Sequence, residues 1–143
     1  MSGWLYNGLP FEVIPKGSFG FVYLITSLID GRMYVGRKYF YSMNKVKGKK
    51  NRVKSESNWR VYCGSCKPLL EDIKTNGLEN YKREILSIHN TKGQVNYHEV
   101  AQQFIRNVLY ATNENNTRIY YNDNILGRYF SKSSGKIVKD ESI

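Results

Sequence analysis

Only two cysteines and three prolines occur in the 143 residues of this chain, and long apolar runs are missing altogether. Two thiols, Cys63 and Cys66, are too few for the disulfide framework of a small secreted domain. The longest apolar stretch, Phe19 to Ile29, is interrupted by Gly20, Thr26 and Ser27 and falls short of the ~20 residues that cross a bilayer. A basic-then-apolar leader pattern is also lacking. The expectation is a cytoplasmic protein with no membrane partner. Acidic residues are scarce as well: 12 Asp+Glu stand against 22 Lys+Arg, for a formal net charge of +10. That imbalance points to a polyanionic partner, with nucleic acid ahead of an anionic membrane surface. At this length a single domain around one core is the default.

Residues 1 to 18 hold Gly3, Gly8, Pro10, Pro15 and Gly17, which predicts an irregular arm laying Trp4, Tyr6 and Phe11 on the core. Phe21 to Leu28 and Met33 to Phe40, both aromatic and branched and separated by a turn at Asp30-Gly31, read as a β-hairpin. From Ser42 to Ser57 the apolar pattern disappears and Lys45, Lys47, Lys49, Lys50, Arg52 and Lys54 accumulate. This segment reads as a mobile basic loop or a marginal helix, outside the core and placed to hold nucleic-acid phosphates. Ser65 is positioned to cap a helix that carries Leu69, Leu70 and Ile73 on one face and ends at Gly77. Tyr81 to Ile88 alternates weakly and fits a third strand. Asn96 is read as opening an amphipathic helix that runs through Val100, Phe104, Ile105 and Val108 to about Tyr110. Tyr120 to Ile125 reads as extended, and the polar stretch from Ser131 onward as disordered. The domain organisation expected is an arm over 1–18, an α+β domain over 19–127 and a flexible basic tail over 128–143.

The hairpin carries Gly20-Phe21-Val22-Tyr23 on one strand and Tyr34-Val35-Gly36 on the other. This pair resembles the signature of the GIY-YIG nucleases. With 12 tyrosines in the chain, two in one hairpin are uninformative alone. The order Trp59, Tyr62, Gly64-Ser65, Leu69, Ile73, Gly77, Tyr81 and Glu84-Ile85-Leu86 is similar to the SegE-like phage endonucleases, a branch of the homing-endonuclease group. The Trp4-x-Tyr6-x-Gly8 arm, Glu99 and Tyr121-Asn122 extend the resemblance over about residues 4 to 127.

That resemblance implies a three-stranded antiparallel β-sheet flanked by α-helices, and hydrolysis of double-stranded DNA with one Mg²⁺ (or Mn²⁺) held mainly by Glu99. One carboxylate suffices for Mg²⁺, which keeps several waters and takes a substrate phosphate oxygen. Tyr34 would orient or deprotonate the attacking water, Tyr23 would help hold water and phosphate, and Asn122 would support the metal site. A phenol of ordinary pKa near 10 works at neutral pH only as a hydrogen-bond relay or beside cations that favour the phenolate. Arg37 and Lys38 are the nearest cations, and they would also neutralise charge on the phosphate. The broader family places an arginine in a helix after the second motif half, whereas position 44 here is asparagine. Its role falls to Arg37, Lys38, Arg52 or Arg60, with Arg60 also counted among the DNA contacts.

Plainer readings stand beside these. Asn96-x-x-Glu99 has the spacing of a capping box. Cys63-Gly64-Ser65-Cys66 has the form of a redox pair but lacks the preceding βαβ pattern, so two reduced thiols are expected. His89 and His98 miss the usual zinc spacing. No recognition module follows Asn122, so selectivity is expected to be loose or to come from self-association as a homo-oligomer. The rival classes are a non-catalytic nucleic-acid-binding protein that keeps the fold, and an adaptor or inhibitor with a basic face.

Overall fold

The computed structural model describes residues 3–131; the disorder expected beyond Ser131 concerns residues outside that range. From the N-terminus, strands β1 (Trp4–Tyr6) and β2 (Leu9–Pro10) form a small hairpin. Asn7 and Gly8 between them lie at φ 52° and 80°, the left-handed pair that a tight two-residue hairpin turn requires. Strands β3 (Gly20–Ser27) and β4 (Met33–Tyr39) follow as the expected antiparallel hairpin. A separate exposed hairpin is made of β5 (Tyr41–Asn44) and β6 (Val53–Glu56). Then come helix α1 (Lys67–Asn76), strand β7 (Tyr81–His89) and helix α2 (Lys92–Ile105). The short hairpin of β8 (Asn124–Ile125) and β9 (Tyr129–Phe130) closes the described chain.

Five strands join one sheet in the order β2-β1-β7-β3-β4. Strand β3 is buried along nearly its whole length because apolar groups cover both faces. Phe21, Tyr23 and Ile25 enter one cluster with Trp4, Phe40, Trp59 and Leu69. Val22 and Leu24 enter a second with Val35, Val108, Leu109 and Ile125. A strand covered on both sides shows a continuous apolar run in place of alternation, as Phe21 to Ile25 does. Strand β4 is the last of the sheet's strands, so its outer edge must be satisfied from elsewhere. Segment 120–122 does this: Tyr121 N–H donates to the Met33 carbonyl at 2.7 Å, and Asn122 uses both ends of its amide on Val35. Val35 N–H donates to Asn122 Oδ1 at 3.1 Å, and Asn122 Nδ2 donates to Val35 O at 2.9 Å.

Several expectations are corrected. The sheet is mixed and five-stranded, because Trp4–Tyr6 adds parallel to β7; only β4, β3 and β7 form the antiparallel trio foreseen. The basic stretch is the β5–β6 hairpin and its tip, neither helix nor unstructured loop. Cys66, not Ser65, occupies the α1 N-cap, with a proline in the first turn, and Gly77 ends the helix by donating to Ile73 O at 2.8 Å. Helix α2 begins four residues before Asn96, capped by Thr91 Oγ1, which accepts from Gln94 N–H at 3.1 Å. It stops at Ile105 rather than near Tyr110, because Asn107 takes the left-handed conformation at φ 52°, a recognised helix-ending position for asparagine. The boundary set at 127 cuts through the β8–β9 hairpin, and Ser131 N–H still donates to Asp123 O at 3.0 Å. Among the described residues no helix is long and apolar enough to cross a membrane.

Candidate active site

In the β3–β4 register Tyr23 faces Gly36 and Tyr34 faces Ile25, so the two tyrosines are diagonal neighbours on one face of the sheet. Their ring centroids are 6.2 Å apart. The ring of Tyr23 lies over Gly36, where a Cβ would come within 2.5 Å of Tyr23 Cζ; only glycine leaves it room. Gly64 presses on the same pair from above at φ 92°, where a Cβ would meet Tyr23 Oη at 3.2 Å and Tyr34 Cε2 at 3.4 Å. What holds this loop down is Arg83, a buried arginine of β7. Its guanidinium donates to Tyr62 O at 2.7 Å and to Arg60 O at 3.3 Å.

Around the edge of β4, Glu99 of α2 meets Arg37, with Oε1 3.3 Å from Nε. Tyr34, Arg37, Ser65, Glu99, Gln103 and residues 122–124 line one cavity of about 290 Å³. Burial pushes the Glu99 carboxyl above its usual pKa and Arg37 only partly offsets this, so the carboxylate is short of positive charge. Burial also drives the Tyr34 phenol up to about 12, against a lowering hydrogen bond from Ser65. Tyr23, 1% exposed, is held well above the ordinary phenol value by burial and then by the charges of Tyr34, Tyr62 and Glu99, with a hydrogen bond to Tyr62 adding in the same direction. The charge of Glu99 is a lesser raising cause at both phenols, and of the two tyrosines Tyr34 lines the cavity with it.

Residues 4–125 match the family described as putative endonuclease segE, GIY-YIG domain. The chain belongs to the GIY-YIG endonuclease family. Comparison with curated proteins and with solved structures gave no match. Within this GIY-YIG domain, Tyr34, Arg37, Glu99 and Asn122 share the cavity, while Lys38 points to the neighbouring cleft, its ammonium 4.1 Å from the centroid of the Tyr62 ring. Tyr23 lies beneath the cavity rather than on its wall. Asn122 is also at the wall, but its amide is engaged with the β4 backbone. Glu99 is no capping residue, since it lies in the second turn of α2 and Asn96 Oδ1 instead accepts from the Tyr39 hydroxyl at 2.7 Å.

The remaining cations are set apart from the cavity. Arg60 pairs with Glu56 at 2.9 Å and stacks on Trp59, and Arg52 donates to Met43 O at 3.3 Å inside the β5–β6 hairpin. Neither lines the cavity that holds Glu99, so Arg37 is the arginine there. Asn44 belongs to β5 rather than to a helix. Lys45, Lys47, Lys49, Lys50 and Lys54 are exposed on the hairpin, with Lys54 over the Tyr41 ring at 4.1 Å. Both cysteines are free thiols, and burial raises the pKa of each, opposite to a reactive redox pair. Sequence reasoning missed Ser65, Gln103 and Asp123 as cavity walls. Helical spacing could have found Gln103, one turn after Glu99 on the same face of α2, whereas no spacing rule links Ser65 or Asp123 to Glu99.

Proposed function

We propose that this GIY-YIG domain is a divalent-metal-dependent endonuclease that hydrolyses double-stranded DNA in the cavity bordered by Tyr34, Arg37 and Glu99. The homing type, encoded by a phage or other mobile element, is the reading that the SegE resemblance favours. The observation that carries the proposal is the shared cavity: a half-buried carboxylate, a guanidinium and a phenol face one space in a chain of this family.

The cavity wall offers carboxylate, amide and hydroxyl oxygens with no thiol or imidazole, a donor set suited to Mg²⁺ or Mn²⁺. Among the described residues no group of three or more His, Cys, Asp or Glu gathers, so Glu99 would be the chief protein ligand, with water and a phosphate oxygen completing the shell. When bound, such an ion supplies positive charge to the phosphate oxygens and acidifies water. Arg37, 40% exposed in its side chain, can swing from Glu99 to a phosphate oxygen. The Tyr34 phenol, with its pKa at about 12, stays protonated at neutral pH and serves as a hydrogen-bond relay that orients the attacking water. Tyr23 and Tyr62 act beneath it by fixing where that hydroxyl sits.

Incubation of supercoiled plasmid with the protein and Mg²⁺ tests the reading. Nicked or linear product should form, and should vanish with EDTA, with Glu99→Ala and with Tyr34→Phe. Glu99→Ala should leave the melting temperature within a few degrees of wild type, since the residue caps nothing. Retention of DNA on a gel without any turnover would favour the non-catalytic binder, a reading supported by the lack of an arginine-bearing helix directly after β4.

A further inference from the structure

Next to the Glu99 cavity, and sharing Arg37 with it, lies a second cleft of about 350 Å³ between β4, β5 and the start of α2. Its wall carries Arg37, Lys38 and Lys92 together with Tyr39, Tyr41 and Tyr62, and no carboxylate. The cations rest on rings: Lys38 lies 4.1 Å from the Tyr62 centroid, while Arg37 and Lys92 lie 4.9 Å and 6.0 Å from that of Tyr39. A ring face orients a cation without cancelling its charge, as at Lys38 and Lys92, whereas Arg37 is also paired with the Glu99 carboxylate of the neighbouring cavity. Lys92 is the first residue of α2, and no acidic residue stands in that first turn. An ammonium there opposes the positive end of the helix dipole, so the residue is poorly placed for stability. Burial lowers the pKa of Lys38, as expected of an ammonium stripped of water with no anion beside it.

We propose that this cleft is a second phosphate subsite, in which Lys38 and Lys92 hold the backbone phosphate adjacent to the one cut, with Arg37 between the two. The assignment rests on the nuclease reading for which phosphate is held, but not for the binding of an anion. The shared wall favours it: Arg37 lines both the Glu99 cavity and this cleft, so the two anion positions are neighbours on either side of one guanidinium.

Binding of a short DNA duplex is measured in EDTA across a salt series, for wild type, Lys92→Met, Lys38→Met and Lys16→Met, an exposed lysine of the arm. Methionine keeps the apolar stem, and the melting temperatures of all four verify folding. The slope of log affinity against log salt should fall for Lys92→Met and for Lys38→Met, by up to about 0.9 for the phosphate they share, and should be unchanged for Lys16→Met. Unchanged slopes for both cleft variants overturn the subsite whether or not the protein cleaves. The second arm places a neutral methylphosphonate beside the cut position and follows single-turnover cleavage. Wild type should slow by about tenfold or more, and Lys92→Met, already slow, should lose clearly less, since only Lys38 still meets that phosphate. Full additivity of the two changes would show that the cleft holds some other phosphate and would overturn the assignment. Should wild type fail to cleave at all, the nuclease reading falls while the salt slopes still decide the anion site.

Discussion

Gly36 sets where a hydroxyl can stand in the candidate site. Its missing side chain is the floor under the Tyr23 ring, and the Tyr23 ring in turn neighbours Tyr34. Gly36→Ala should therefore cost about 1–3 kcal/mol of stability, the usual penalty for overfilling a packed interior. Cleavage measured well below the melting temperature should drop by at least tenfold as Tyr34 shifts; wild-type rates in a folded Gly36→Ala protein would contradict this. A second residue-level test concerns the stacked imidazoles of His89 and His98, 4.1 Å apart between centroids and nearly parallel at 6°. Burial first, then His98, lowers the pKa of His89. A depressed histidine pKa means that the unfolded chain binds the proton more readily. The stability it contributes is complete above the unfolded value near 6.5 and is lost as pH falls from there through the folded pKa. Melting temperatures of wild type should fall between pH 7.5 and 5.5 by more than those of His89→Asn, and equal falls would refute the coupling.

At the scale of elements, the outcome depended on how much of each signal was local. The β3–β4 hairpin was legible because its aromatic and branched run and its Asp30-Gly31 turn lie within a few residues. Strand β7 looked weak because its pairing with β3 shifts register between Val22 and Tyr23, a bulge that puts Tyr81, Arg83 and Ile85 out of phase with Ile88. Strand β1 was read as irregular although Asn7-Gly8 is a strong hairpin signal, since its two-residue partner is too short to register as a strand. The α2 start was misplaced because Asn96-x-x-Glu99 imitates a cap, while Thr91 and Gln94 form the real one. Basic composition hid the β5–β6 hairpin, whose strands pair through backbone and expose their side chains. If this projecting hairpin grips DNA, neutralising Lys47, Lys49 and Lys50 together should reduce the salt slope by up to about 0.9 for each phosphate contact removed. A slope equal to wild type would mean the hairpin tip stays clear of the backbone.

Over the whole molecule, the resemblance read from the sequence named the family correctly, and Tyr34 and Glu99, which it picked out on a strand and a distant helix, line one cavity; Arg37, chosen as a nearby cation where the family's helical arginine is missing, lines it too. The resemblance pointed to Asn122 beside the metal site but not to the pairing of that side chain with the edge of β4, because the contact joins residues 87 positions apart. The Asn122 side chain takes the place of a missing neighbouring strand, so Asn122→Ala should leave the Val35 N–H buried and unsatisfied at about 1–3 kcal/mol. Gln103 Nε2 still reaches the Val35 carbonyl at 3.3 Å, which confines the loss to one group; denaturant unfolding measures it, and a change under about 0.5 kcal/mol would refute the role. This stitch also imposes an order on the protein's synthesis. A ribosome delivers the two tyrosines, the arginine and the glutamate well before residue 122, yet the strand that carries Tyr34 and Arg37 has a bare flank until that asparagine emerges. A nascent chain that has not reached residue 122 holds the reactive groups without the frame that aligns them, so competence to cut would wait for that residue to emerge.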